Sequence, residues 1–73
     1  MIATIQRITI ASYGMPVPGA LLLDKEDAQA LGEEAPGGII EHDDYVWRVV
    51  SVEFEEYDSE SGAIVVTLEM IAT

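Results

Sequence analysis

The final stretch of the chain, residues 44–73, constrains the fold more than any other part. Two runs rich in β-branched and aromatic residues flank a polar segment that ends in glycine. This is the sequence pattern of a long β-hairpin. Side chains on a strand alternate between two faces, so the pattern predicts an apolar face of even-numbered residues: Val46, Val50, Val52, Phe54, Ile64, Val66, Leu68 and Met70. The opposite face begins with Tyr45 and Trp47 and becomes acidic at Glu53 and Glu55.

The segments before the hairpin predict further extended chain. Residues 1–10 are rich in isoleucine and indicate a strand with imperfect alternation. Either both of its faces are partly covered, or a bulge near Gln6 shifts its register by one residue. Two prolines and two glycines make 11–19 a loop. The apolar run 20–23 is predicted to be extended.

One short helix is predicted between the strands. Asp24 is a candidate N-cap, 25–31 would form about two turns, and Gly32 would close the helix in the left-handed conformation. Ile39 and Ile40 then begin another strand. We therefore predict a mainly β (α+β) fold in a single domain, 1–73: a small antiparallel sheet or open barrel of about four or five strands with one short helix.

The charge of the chain limits its direct partners. Fourteen acidic residues against three basic ones give a formal net charge of −11. Nucleic acid and anionic membranes attract clustered Lys and Arg, so we expect neither to bind directly. The hydrophobic fraction of 49% is too high for a disordered acidic tail. A folded acidic domain with a protein partner is the expectation.

The compartment is predicted from what the chain does not contain. The sequence has no cysteine, which excludes disulfides and cysteine-based zinc sites. It also has no run typical of a signal peptide or a membrane helix. We therefore expect the cytoplasm, or a virion assembled there. A core this small often gains burial from a partner, so a homo-oligomer is one expectation.

Catalytic, cofactor and metal motifs are not found. Pro36, Gly37 and Gly38 lack the spacing and the lysine of a phosphate-binding loop. His42 is the one histidine in the sequence, so it would have to act as the base in any hydrolytic mechanism. The segment 58–62 departs from a calcium loop where ligands are required. The sequence predicts neither an enzyme nor a cofactor or metal site.

Carboxylates dominate the remaining candidate site. Eight of them lie between residues 41 and 60, and such a row would be attracted to a basic protein surface. If it binds no partner, this row of carboxylates would only solubilise the chain and protect a strand edge from pairing with other chains. The predicted partner-binding residues are Glu41, Asp43, Asp44, Glu53, Glu55, Glu56, Asp58 and Glu60, together with the aromatic residues Tyr45 and Trp47.

Tyr45 and Trp47 allow two interpretations. If their face is open, they would anchor a partner. If the loop 13–17 folds across them, they form a second small core, and this covered arrangement is the one we expect.

Two functions of different classes are consistent with these features. The first is a non-catalytic acidic protein-binding module, for example an inhibitor from a mobile genetic element such as a phage, which occupies a basic nucleic-acid-binding groove by charge mimicry. The second is a structural subunit of an assembly, such as a virion head or tail component, held by apolar burial.

Overall fold

A long antiparallel hairpin forms the centre of the sheet in the computed structural model, which describes residues 4–72. In chain order the elements are β1 (Ile5–Tyr13), β2 (Leu21–Leu22), α1 (Lys25–Glu34), β3 (Ile39–His42), β4 (Tyr45–Glu56) and β5 (Gly62–Ala72). The hairpin predicted from the C-terminal stretch is β4 and β5.

The strands form one open sheet in the order β2-β1-β5-β4-β3. Its pairs are antiparallel except for the short parallel pairing of β2 with β1. The prediction of a mainly β fold with one short helix is confirmed. The sheet is mixed rather than purely antiparallel, and it is not closed into a barrel.

A bulge in β4 reverses which residues face the core. The register with β5 shifts between Val49 and Ser51, which leaves Val50 as an extra residue. Side chains before the bulge therefore have the opposite parity to those after it. Trp47 and Val49 are buried, whereas Val50 is 42% exposed. The prediction of one even-numbered apolar face along β4 is wrong in its first half.

The first strand ends and bulges later than predicted. β1 runs from Ile5 to Tyr13, and its register with β5 shifts between Thr9 and Ala11 rather than near Gln6. Residues 1–3 of the predicted strand lie outside the described residues. The loop predicted for 11–19 starts only after Tyr13, because that end of β1 pairs with both β5 and β2.

The helix passes through the glycine that was expected to end it. Asp24 is the N-cap residue, although its side chain makes no capping hydrogen bond, and the helix continues to Glu34. Gly32 is buried, and a Cβ there would lie 2.8 Å from Cε1 of Phe54 and 3.2 Å from Cγ2 of Ile64. The glycine thus permits close packing of α1 on the sheet. Within residues 4–72 no helix has the length and apolarity to cross a membrane.

The core lies on the face of the sheet that carries α1. One cluster contains Ala11, Tyr13, Ala28 and Ile64. A second is built from Trp47, Val49, Val66 and Leu68. Val52 and Ile10 contact both clusters. The other face of the sheet, called the open face below, is the one that displays charged side chains.

Candidate partner-binding surface

An arginine on β1 holds two carboxylates of β4 on the open face. Nη2 of Arg7 lies 2.7 Å from Oε2 of Glu53 and 4.0 Å from Oε1 of Glu55. Because β5 separates β1 from β4 in the sheet, this side chain crosses a whole strand. Val65 lies on β5, pairs in register with Glu53, and is only 6% exposed although it is on the open face. The charged pair and the arginine stem therefore form a cover over β5.

A second ion pair lies further along the same face. Nη2 of Arg48 lies 2.8 Å from Oε1 of Glu69, and both side chains are about half exposed. These residues are opposite each other in the β4–β5 register. Glu69 has the same parity on β5 as Val65, and both lie on the open face. Arg48 is even-numbered, like the residues predicted for the apolar face of β4, and the bulge at Val50 is the reason that it lies on the open face.

The loop 57–61 is held by one of its own carboxylates. Oδ1 of Asp58 accepts hydrogen bonds from the backbone N–H groups of Glu60, at 2.7 Å, and Ser61, at 2.8 Å. The bond from Glu60, followed by those from Ser61, keeps the pKa of Asp58 below its ordinary value of 3.8. Asp58 is therefore ionised at neutral pH and shapes the loop that carries Glu60.

The turn between β3 and β4 carries another set of acidic residues. Asp43 and Asp44 have φ angles of 52° and 67°, the arrangement of a two-residue type I′ hairpin turn. Nε2 of His42 lies 3.2 Å from Oδ2 of Asp43. Residues 41–46 line an open depression of about 460 Å³. No three His, Asp or Glu side chains among residues 4–72 are arranged to hold a metal ion.

The structure divides the predicted acidic row into two groups. β4 has twelve residues, and at about 3.3 Å per residue its two ends lie roughly 36 Å apart. The longest dimension of the molecule is 37 Å. One group, at the β3–β4 turn, contains Glu41, Asp43 and Asp44. The other, at the β4–β5 end and called the acidic tip below, contains Glu53, Glu55, Glu56, Asp58 and Glu60.

The acidic tip keeps most of its charge. Arg7 is the basic residue that contacts it within residues 4–72, through Glu53 and Glu55. Within the same residues, Glu56, Asp58 and Glu60 have no basic side chain within 4.0 Å. All five side chains belong to exposed residues.

The two aromatic candidates differ in their accessibility. Trp47 is completely buried, and its Nε1 donates a hydrogen bond of 2.8 Å to the backbone oxygen of His42. Tyr45 is half-buried and meets the Trp47 ring edge-on, with 6.3 Å between centroids. The prediction of Trp47 as a partner-binding residue is therefore wrong. It is covered, as expected, but in the main core beside Val52 rather than in a second core under the loop 13–17.

The outer edge of β4 was not predicted as part of a site. The Tyr57 N–H donates to the Ser61 oxygen at 3.0 Å, so residue 57 faces β5. The register is continuous from Ser51 to Glu56. Because backbone groups alternate in direction along a strand, those of Val52, Phe54 and Glu56 point away from β5.

No strand among residues 4–72 covers this outer edge. β3 pairs with β4 only from Tyr45 to Arg48, and two backbone hydrogen bonds, from the Gly37 N–H to the Val49 oxygen and from the Val49 N–H to the Gly38 oxygen, extend the contact to Val49. Two sequence signals could have revealed this uncovered edge. The apolar pair Val49 and Val50 marks the change of phase at the bulge. The run before the 43–44 turn is also much shorter than the run after it, which leaves part of the longer strand unpaired.

Comparisons of the chain with protein-family models, with curated proteins and with solved structures gave no match.

Proposed function

We propose that this chain is a non-catalytic protein-binding module whose acidic tip binds a basic surface of another protein. The observation that carries this proposal is the presence of five exposed carboxylates at one end of the β4–β5 hairpin, with Arg7 as the basic residue in contact with two of them among residues 4–72. The proposed setting is the one that the sequence predicts: the cytoplasm, or a virion assembled there.

Charge placement supports the proposal in two ways. Exposed carboxylates of one sign attract a basic partner over a distance and raise the rate of encounter. The alternation of the strand also places Glu53 and Glu55 on one face, roughly 7 Å from each other, and Arg7 contacts both of them. In its narrower form, the proposal is that the tip enters a basic groove that otherwise holds a nucleic-acid backbone. The mimicry is then limited to the tip, since the 41–44 group lies at the far end of β4.

Paired charge variants test this function. Glu56→Gln with Glu60→Gln removes two charges from the tip without breaking an ion pair or the Asp58 hydrogen bonds. Glu33→Gln with Glu34→Gln removes the same charge from the exposed end of α1 and is the matched control.

Each protein is immobilised, and basic proteins are captured from a lysate of the source cells at low and at raised salt. We expect capture by the wild type and the control, and its loss with the tip variant or at raised salt. Equal capture by all three proteins, or no capture of a basic protein, contradicts the proposal.

An assembly subunit is the alternative, and exposed apolar side chains favour it. Leu21 and Leu22 on one edge strand are 61% and 58% exposed, and Ile39 on the other edge strand is 57% exposed. Apolar side chains on both edges would be buried if copies or neighbours joined there. The molar mass from light scattering at moderate salt distinguishes the two functions. A closed large oligomer supports the assembly subunit, and a monomer at all concentrations contradicts it.

A further inference from the structure

We propose that the outer edge of β4 receives an extended segment of the basic partner as an additional strand, and that this segment alternates basic and apolar residues. The inference rests on the proposed function and specifies how the partner is recognised. Adding a strand to a sheet edge is a recurring mode of peptide recognition, in which main-chain hydrogen bonds supply affinity.

The backbone of the edge provides the first argument. Val52, Phe54 and Glu56 direct their N–H and C=O groups outward, and no strand among residues 4–72 pairs with them. The unpaired part of β4, residues 50–56, is long enough for an ordinary strand of about five or six residues. Unpaired groups of this kind are a template for another chain.

The side chains on either side of the edge provide the second argument. Glu53 and Glu55 lie on the open face, while Val52 and Phe54 lie on the face that carries α1. Phe54 is 55% exposed despite its contact with the helix. An added strand continues the alternation of faces. Its basic residues would lie beside Glu53 and Glu55, and its apolar residues would extend the contact with Phe54.

Charge also argues against a second copy of β4 as the occupant. Two copies of this edge would bring Glu53, Glu55 and Glu56 of each chain against those of the other. Like charges opposite each other destabilise strand pairing, and acidic side chains on an edge prevent self-association. The same charges favour a basic strand.

The first experiment uses two synthetic peptides of equal length and charge with blocked ends. One alternates lysine and valine, and the other alternates lysine and proline. Proline has no N–H and cannot form a strand ladder. At low ionic strength we expect the lysine–valine peptide to bind more tightly. We also expect it to slow hydrogen exchange at the amides of Val52, Phe54 and Glu56, because these amides become bonded.

The second experiment uses a matched pair of variants at Glu56. Glu56→Pro removes one outward N–H and one charge, whereas Glu56→Gln removes only the charge. Because this N–H points away from β5, proline leaves the β4–β5 ladder intact. We expect Glu56→Pro to weaken binding of the lysine–valine peptide by about tenfold relative to Glu56→Gln, the effect of one lost hydrogen bond. If Glu56→Pro does not fold, the exchange measurement on the wild type decides alone.

The outcomes separate this inference from the proposed function. Equal binding of the two peptides, without protection at Val52, Phe54 and Glu56, overturns strand addition and leaves charge recognition by the acidic tip in place. If neither peptide binds at low ionic strength, both proposals fail. Tighter binding of the lysine–valine peptide with protection at the three amides supports the inference.

Discussion

Arg7 and Glu53 are on strands that do not pair with each other, and their side chains meet across β5 at 2.7 Å. The bridge links the N-terminal strand to the hairpin that carries the acidic tip. It also positions Glu53 beside the unpaired edge of β4.

Removing the charge of Arg7 should cost little stability. The side chains of Arg7 and Glu53 are 52% and 57% exposed, and exposed pairs contribute about 0.2–1 kcal/mol after solvent screening. A double-mutant cycle of Arg7→Met and Glu53→Gln, measured by urea unfolding, should give a coupling energy in this range that vanishes at high salt. Methionine keeps an unbranched stem over β5. A coupling energy well above about 1 kcal/mol would show that the bridge is structural.

Gly32 should accept no large side chain. A Cβ at this position already approaches Phe54 and Ile64 within 3.2 Å, so Gly32→Val should lower the free energy of unfolding by about 1–3 kcal/mol through overpacking. Ala30→Val, at an exposed position of the same helix, should cost only its helix propensity, roughly 0.6 kcal/mol. Thermal or urea unfolding measures both variants. Equal costs would mean that α1 does not pack closely on the sheet.

Adjacent valines in β4 should respond in opposite ways to a charge. Val49 is 3% exposed and Val50 is 42% exposed because of the bulge. Val49→Asp buries an unpaired carboxylate and should destabilise the domain by about 3 kcal/mol or more. Val50→Asp should stay within about 1 kcal/mol of the wild type. If denaturant unfolding shows that Val50→Asp costs more stability than Val49→Asp, β4 has no bulge at Val50 and its side chains alternate simply.

Asp58 should make stability depend on pH in acid. Its pKa is lowered in the folded state by the hydrogen bond from the Glu60 N–H and by those from Ser61. A lowered folded pKa gives stability that is present above the ordinary value of 3.8 and is lost as the pH falls through the folded pKa.

The measurement is the difference in the free energy of unfolding between the wild type and Asp58→Asn as a function of pH. Asparagine keeps an oxygen acceptor but cannot titrate. The difference should favour the wild type above pH 3.8 and shrink below it. A difference that is constant with pH would show that the loop bonds do not depend on the carboxylate charge.

Local patterns in the sequence predicted much of the fold. Alternation and β-branched residues identified the 44–73 hairpin, and the run before Asp24 and the helix after it were found from their flanking residues. The phase change at Val50 was missed, because a bulge depends on register with a partner strand. The continuation of the helix through Gly32 was also missed, since packing against Phe54 and Ile64 overrides a glycine's tendency to end a helix.

Residues far apart in the sequence limited the prediction of the site. The sequence pattern predicts one row of carboxylates between residues 41 and 60, but the length of β4 places them at two ends of the molecule. The contact of Arg7 with Glu53 joins residues 46 positions apart, which local pattern does not reveal. The sequence placed Trp47 on the acidic face, and only the bulge moves it into the core.

The salt dependence of the affinity between this chain and its captured basic partner tests the central claim most directly. The logarithm of Kd is measured against the logarithm of salt concentration for the wild type, for Glu56→Gln with Glu60→Gln, and for Glu33→Gln with Glu34→Gln. We predict a steep loss of affinity with salt for the wild type and the α1 control, and weaker, less salt-dependent binding for the tip variant. Three superimposable lines would contradict recognition through the acidic tip.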